Sequence, residues 1–329
     1  MERAVLLMLI IVGFALTSRA VPDGFVLVAN KGEHTLGIID AVSGRQIASI
    51  PETGVTGHEV AALRGGLAFV PIYGNSGVGL PGTDGRTMDV IDLKLRRVVH
   101  TVDFGRGVRP HCAVFGPKDG LLYVTTELDH SVTIVDPGNF RILGKIPTGQ
   151  PESHMLAISP DGRYGYTANV GPGTVSVLDM AARKTLKVIP VAGHVQRISI
   201  SPDGRWVFTS DTEKARLAVI DAASNQLKQW IELKGEGYGT ASTPDGRFLL
   251  VAVPSRNQVA VVDLASFEVV KTIDVPPAPQ EVLIAPDGQM AYVSCDHSRQ
   301  VAAIQTKEWS AKLINAGQGA DGMAWATAP

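Results

Sequence analysis

Residues 159–179 read SPDGRYGYTANVGPGTVSVLD, and the turn that opens this stretch, Pro160-Asp161-Gly162, returns at Pro202-Asp203-Gly204, Pro244-Asp245-Gly246 and Pro286-Asp287-Gly288. Each copy follows the last by 42 residues. A fixed period of this length marks one supersecondary unit, repeated. In the unit from His154 to Pro190, HMLAISPDG reads as a strand running into a tight turn. RYGYTANV is a second strand, GPG a turn, TVSVLD a third strand and KTLKVI a fourth. Tyr, Val, Thr and Ile fill these runs, and Gly, Asn, Asp and Pro bound them, as strands and their turns require. Four antiparallel strands in about 40 residues predict a β-propeller blade.

Working outward, the second-to-third-strand segment recurs seven times: at 25–40, 67–93, 121–136, 164–179, 206–221, 248–263 and 290–305. The first copy lacks an inner strand before it. The last is followed by a spare strand, ADGMAWA, at 320–326. The chain is therefore expected to be all-β, one seven-bladed propeller over 21–329. Ala320 to Ala326 would supply the inner strand of the blade begun by Phe25 to Ile50 and leave no long unpaired edge.

The chain has 329 residues and a formal net charge of -2, which argues against a nucleic-acid surface. Arg3, the apolar run Ala4 to Leu16 and Ser18-Arg19-Ala20 have the order of a secretory signal. Cleavage is expected after Ala20, giving a periplasmic or secreted protein. No later run is long and apolar enough to span a bilayer, and a monomer is expected. Two cysteines in an exported protein suggest a disulfide. The repeat map puts Cys112 and Cys295 on nearly opposite sides of the ring, too far apart to bridge, so two free buried thiols are expected.

The repeats resemble the YVTN family of seven-bladed propellers, which includes YncE-like bacterial proteins. Tyr123-Val124-Thr125 spells three letters of the namesake motif, and 159–179 follows the family's blade pattern. The resemblance runs over the mature chain. It implies the fold, but its members include binding proteins and enzymes, so it names no activity.

The function has to come from the faces of the ring. The Pro-Asp-Gly turns lie at one end and are uniform, as turn chemistry would be. The opposite mouth collects the starts of the inner strands and the second-to-third-strand turns. Counting back six residues from each turn proline, with register filling the rest, gives a ring of His58, His111, His154, Gln196, Tyr238, Gln280 and Asp321. Every member is polar. Two residues earlier stand Arg109, Glu152, His194 and Glu236, on the same side by alternation. His34, His130 and His297 fall in turns at this mouth. The one long insertion, Tyr73 to Arg86, is rich in glycine and reads as a mobile flap there.

Three histidines on successive inner strands are candidate metal ligands, for Zn or Cu: His58, His111 and His154. Glu152 or Glu236 would then be the general base. Arg109 would grip an anionic group. His194, Gln196, Tyr238, Gln280 and Asp321 complete a ligand-binding set. No Cys-x-x-Cys-His, Gly-x-Ser-x-Gly elbow, Walker loop or dinucleotide fingerprint is present. The leading expectation is a non-catalytic module that binds a small molecule or a partner protein at the histidine-rich mouth. A metal-dependent hydrolase, lactonase or lyase is the first alternative, and a metal-handling or redox accessory protein the second.

Overall fold

The computed structural model describes residues 23–327. The signal-like segment 1–20 lies outside them. Among the described residues, twenty-eight strands form seven four-stranded antiparallel sheets, with two short 3-10 turns. No helix among the described residues is long and apolar enough to cross a membrane.

Blade 1 joins the two ends of the chain. Ala320–Thr327 is its inner strand, followed outward by Gly24–Asn30, Thr35–Asp40 and Arg45–Pro51. Val28 faces Met323 and Phe25 faces Ala326 in this closing pair. Blades 2 to 7 then follow in chain order. Their inner strands are Ala61–Leu63, Pro110–Phe115, Ser153–Ile158, Val195–Ile200, Thr240–Ser242 and Pro279–Ile284.

In four of the seven blades the second strand carries an aromatic residue at its third position, and in the other three Val26, Val124 and Leu250 stand there. Phe69, Tyr166, Phe208 and Tyr292 are fully buried there, each worth roughly 1.5–3 kcal/mol relative to exposure. The outer strands alternate between exposed and half-buried positions, as a sheet with one wet face must. At the Pro-Asp-Gly end, Asp161 accepts hydrogen bonds from the Ser159 hydroxyl (2.6 Å) and the Arg163 N–H (3.0 Å), while Gly162 takes φ +72°. Ser201-Asp203-Arg205 and Thr243-Asp245-Arg247 repeat the pattern. Those turns are occupied with themselves.

The opposite end departs from regular geometry in one repeated way. Between Pro110 and Ala113, Val195 and Ile198, Pro279 and Val282, the inner strand advances three residues against two on its partner. Ser153 to Met155 and Ala320 to Met323 carry the same extra residue. A bulge of this kind re-aims side chains. It brings two consecutive residues toward the axis where alternation allows one.

Candidate functional site

Two polar clusters occupy the bulged end. In the first, Tyr73 stands among three imidazoles. Its ring centre lies 5.3 Å from that of His58, 5.2 Å from His111 and 5.9 Å from His154, edge-on to each. His111 and His154 are nearly in contact, with ring centres 3.6 Å apart. Tyr73 is 1% exposed, His111 2% and His154 4%, so the pair is sealed. Burial pushes the pKa of His111 well below the ordinary imidazole value, and the neighbouring histidines add to this. Burial does the same to His154, with the Arg197 charge behind it. Burial thus favours the neutral form of both rings. Their Nδ1 atoms are buried without a hydrogen-bond partner.

The Tyr73 hydroxyl donates to Glu127, a buried carboxylate in the second-to-third-strand turn of blade 3. Glu127 also accepts from Arg109 (3.1 Å) and from the Gly79 N–H (3.2 Å). Its Oε2 lies 3.9 Å from His154 Nδ1. Arg109, 6% exposed, reaches into the insertion and donates to Asp84 (2.7 Å), the Leu80 carbonyl (2.8 Å) and the Gly77 carbonyl (3.3 Å). Asn75 and Thr83 clasp each other across the loop. Gly74 takes φ +105°, and a Cβ there would meet the Thr83 carbonyl at 2.0 Å. The insertion read as a mobile flap is thus a tied cover. Its glycines serve close backbone approach, which composition alone does not separate from mobility.

In the second cluster, Arg197 of blade 5 spans the axis. It donates to Glu59 of blade 2, to Glu281 of blade 7 (2.5 Å) and to Asp321 of blade 1 (2.8 Å), and its guanidinium lies over the ring of Tyr238 from blade 6. Only the propeller axis lets such distant strands meet. Burial pushes the Glu59 carboxyl well up; Arg197 opposes this, and Glu281 and Asp321 reinforce it. Burial also resists ionisation of Asp321. The hydrogen bond from His58 (3.2 Å) and the charges of Arg197 and Lys31 nonetheless hold its carboxyl far below the usual range. Lys31 lies 3.3 Å from Asp321 and 3.1 Å from Asp296. Unlike the histidine pair, this cluster is closed on itself.

The ring read from the sequence is brought together in part. His58, His111, His154, Tyr238 and Asp321 share the axial region, but His58 is turned to Asp321 rather than to the other two histidines. Gln196 is half-buried, and Gln280 donates to its own neighbour Ala278 at 3.3 Å. The residues placed two positions earlier go elsewhere. Glu152 takes φ +52° and Arg109 φ +50°, which breaks alternation just before the ring. Glu152 then accepts from the Gly171 N–H (2.7 Å). Glu236 pairs with Ser255 on the rim, and His194 is half exposed beside Glu213 (3.5 Å). Neither glutamate bonds a ring histidine, and Arg109 is engaged by the cover. His34 and His130 occupy left-handed turn positions and are exposed, so their turns account for them. Among the described residues, no three His, Cys, Asp or Glu side chains are arranged as a metal centre. Cys112 and Cys295 are free and buried.

Glu59, Arg197 and Glu281 were not legible by alternation, which points them into the sheet packing. The signal that could have found them is their charge. Three charged residues directly after the ring position, on different blades, have no place in a dry interface. Tyr73 opens the insertion in the sequence reading, and Glu127 carries no sequence signal of its own.

The family described as Cytochrome D1 heme domain matches residues 116–244, less than half of the chain. No curated protein sequence matches it. Solved structures of similar fold include Kuenenia stuttgartiensis hydrazine synthase, at 17% identity over 91% of this chain and 99% of that one, with a TM-score of 0.72. The Pseudomonas aeruginosa periplasmic gluconolactonase PpgL is 18% identical over 93% and 99%, with a TM-score of 0.74. The dihydro-heme d1 dehydrogenase NirN in complex with DHE is 16% identical over 94% and 76%, with a TM-score of 0.63. At these identities the likeness is one of fold.

Proposed function

We propose that the protein is a non-catalytic binding propeller of the YVTN-like kind, whose covered histidine end takes a small ligand. One observation carries this reading: the Nδ1 atoms of His111 and His154 are buried without partners, while Tyr73, Glu127 and Arg109 around them are bonded. A buried polar atom left unpaired costs free energy that a ligand can recover. The atoms concerned are sealed, which favours a small ligand over a protein partner. Hydrolysis would need a free base against the histidines; Glu152 and Glu236 are engaged elsewhere, and Glu127, which lies beside His154, is tied to Tyr73, Arg109 and Gly79. The comparisons add support of a general kind, since NirN, on a similar scaffold, is described with a bound small molecule. A haem-sized group does not fit on the pair as it stands, because Tyr73 and the cover fill the space above it, and the partial family match leaves out His58, Tyr73 and His111. The same reading has the protein exported, so the secreted or periplasmic product should begin at Val21 by N-terminal sequencing.

The test is a melting screen of the mature chain against small polar molecules and ions, repeated on His111→Ala and His154→Ala. A true ligand at a hundredfold excess over Kd should add about 2.7 kcal/mol of stability, and the gain should vanish in both variants. A panel that moves nothing would sink the binding reading. Turnover of a lactone or ester that depends on these histidines would replace it with an enzyme.

A further inference from the structure

The Pro-Asp-Gly turns are uniform in sequence but not in packing. A Cβ on Gly162 would stand 3.0 Å from Lys118, one on Gly204 3.2 Å from Pro160, and one on Gly288 3.0 Å from Pro244, so each of these turns rests on the blade before it. Gly246 breaks the series. Its counterpart on the preceding blade is Pro202, yet its Cβ position has nothing within 4 Å. A cleft of about 590 Å3 opens in this seam between blades 5 and 6. That volume is of the order that small ligands occupy. Asp203, Arg205 and Trp206 line it from blade 5, and Asp245, Arg247 and Asp263 from blade 6.

The polar groups of the cleft are held in place but not used up. Arg205 lies over the Trp206 ring at 4.5 Å and Arg247 over the Phe248 ring at 5.1 Å. Phe267 braces Trp206 edge-on, with ring centres 5.4 Å apart. The two arginines donate to Asp203 and Asp245 only through their backbone N–H groups, and among the described residues neither guanidinium is paired. Arg216 shows the closed alternative: it lies over Trp230 at 3.7 Å and also bonds Asp211 at 2.9 Å. The three aspartates each spend one oxygen on their own turn, Asp263 accepting from the Ala265 N–H (2.8 Å) and the Ser266 N–H (3.1 Å). The second oxygen of each bonds no other described residue. The cleft therefore offers two flat donor forks and three acceptors.

Two guanidiniums against three carboxylates leave one negative charge in the lining. An acidic ligand would meet the carboxylates, and a basic one the guanidiniums. A neutral polyol uses both sets at once, because each hydroxyl donates and accepts. A second cleft of about 490 Å3 adjoins this one, with Pro244, Asp245 and Arg247 shared between them, and there Asp287 and Lys307 again set acid beside base. We propose that the seam between blades 5 and 6 binds a neutral oligosaccharide, with one sugar unit between Arg205 and Arg247 and the next beyond Arg247. The site lies at the opposite end of the ring from His111 and His154 and is independent of the ligand proposed there.

The mature chain is titrated calorimetrically with neutral trisaccharides of glucose, N-acetylglucosamine, mannose and galactose, and with trigalacturonate as the acidic counterpart. At least one neutral trisaccharide should bind with a Kd of about 1 mM or tighter, and more tightly than its monosaccharide. Arg205→Ala and Arg247→Ala should each weaken it about tenfold or more. Both side chains are exposed, so the variants should fold. Arg163→Ala, at the same turn position on blade 4, should change affinity less than about twofold. Ala265→Trp, which fills the cleft from its rim, should abolish binding. Tighter binding of trigalacturonate, undiminished binding in Arg205→Ala and Arg247→Ala, or no neutral trisaccharide bound would overturn the proposal. A saccharide lost in His111→Ala but kept in Arg205→Ala would belong to the histidine end and would overturn it equally, while leaving the binding reading in place.

Discussion

The Arg197 cluster and the His111–His154 pair lie at the same end of the ring, beside the same kind of inner-strand bulge on different blades, yet they are opposites. Arg197 serves two glutamates and an aspartate and rests on a tyrosine ring. Each of its neighbours gains from its charge. The histidines have taken themselves out of water and received nothing at Nδ1. A closed ionic cluster is the signature of architecture. An open polar pair costs stability and suggests that something other than folding keeps it there.

The largest effect should come from breaking the closed cluster. Arg197→Ala strands Glu59, Glu281 and Asp321 without their cation, and denaturant unfolding should show a loss of about 3–5 kcal/mol. A loss under 1 kcal/mol would mean that the carboxylates simply take up protons.

Acid separates the clusters next. The folded pKa of both histidines is depressed, so the unfolded chain binds more protons below about pH 6.5. Stability should therefore fall as pH drops through that value, by up to about 2.7 kcal/mol per unit with two such rings. Asp321, also depressed, supports the fold above the unfolded carboxylate value and is lost only at more acid pH. Glu52 works the other way: burial pushes its carboxyl up to about 7, so it favours the folded state as pH falls from 7 toward 4.5. Glu59 and Glu281, also pushed up by burial, act in the same direction as Glu52, so the histidine share is read as a difference: in denaturant midpoints from pH 7.5 to 5 in a Glu52→Gln background, His154→Leu should make the fall in stability toward acid pH shallower by up to about 1.4 kcal/mol per unit.

At pH 7.5 the same His154→Leu change sharpens the comparison by its smallness. Replacing an unpaired buried ring by an apolar one should cost less than about 1 kcal/mol or stabilise the fold, while ligand binding disappears. At the rim, His194→Ala should stay within about 0.5 kcal/mol.

How far the sequence reaches is clear from particular residues. The 42-residue spacing of Pro160, Pro202, Pro244 and Pro286 carries the blade repeat, because turn chemistry is local. The same ruler finds His154, the turn at Pro117 gives His111, and hydrophobic register supplies Asp321. It stops at the bulge, where strict alternation fails and Arg197 joins the axis. It also misses Tyr73, since nothing local says that a loop's first residue folds back under three histidines from three other strands. Cys112 and Cys295 were readable as unpaired from ring geometry. Both should resist labelling without denaturant, the Cys295 thiol being pushed up to about 12 by burial.

Blade 1 has a consequence for how the protein comes into being. Its inner strand, Ala320–Thr327, is the last described element to leave the ribosome, whereas Gly24–Asn30 is the first. Throughout translation the nascent chain carries Val26, Leu27 and Val28 on an unpaired edge, residues that end fully covered. A frameshift or nick that removes only the final ten residues would leave that adhesive edge for good. Such a product should be cleared or aggregate rather than persist as a six-bladed fragment.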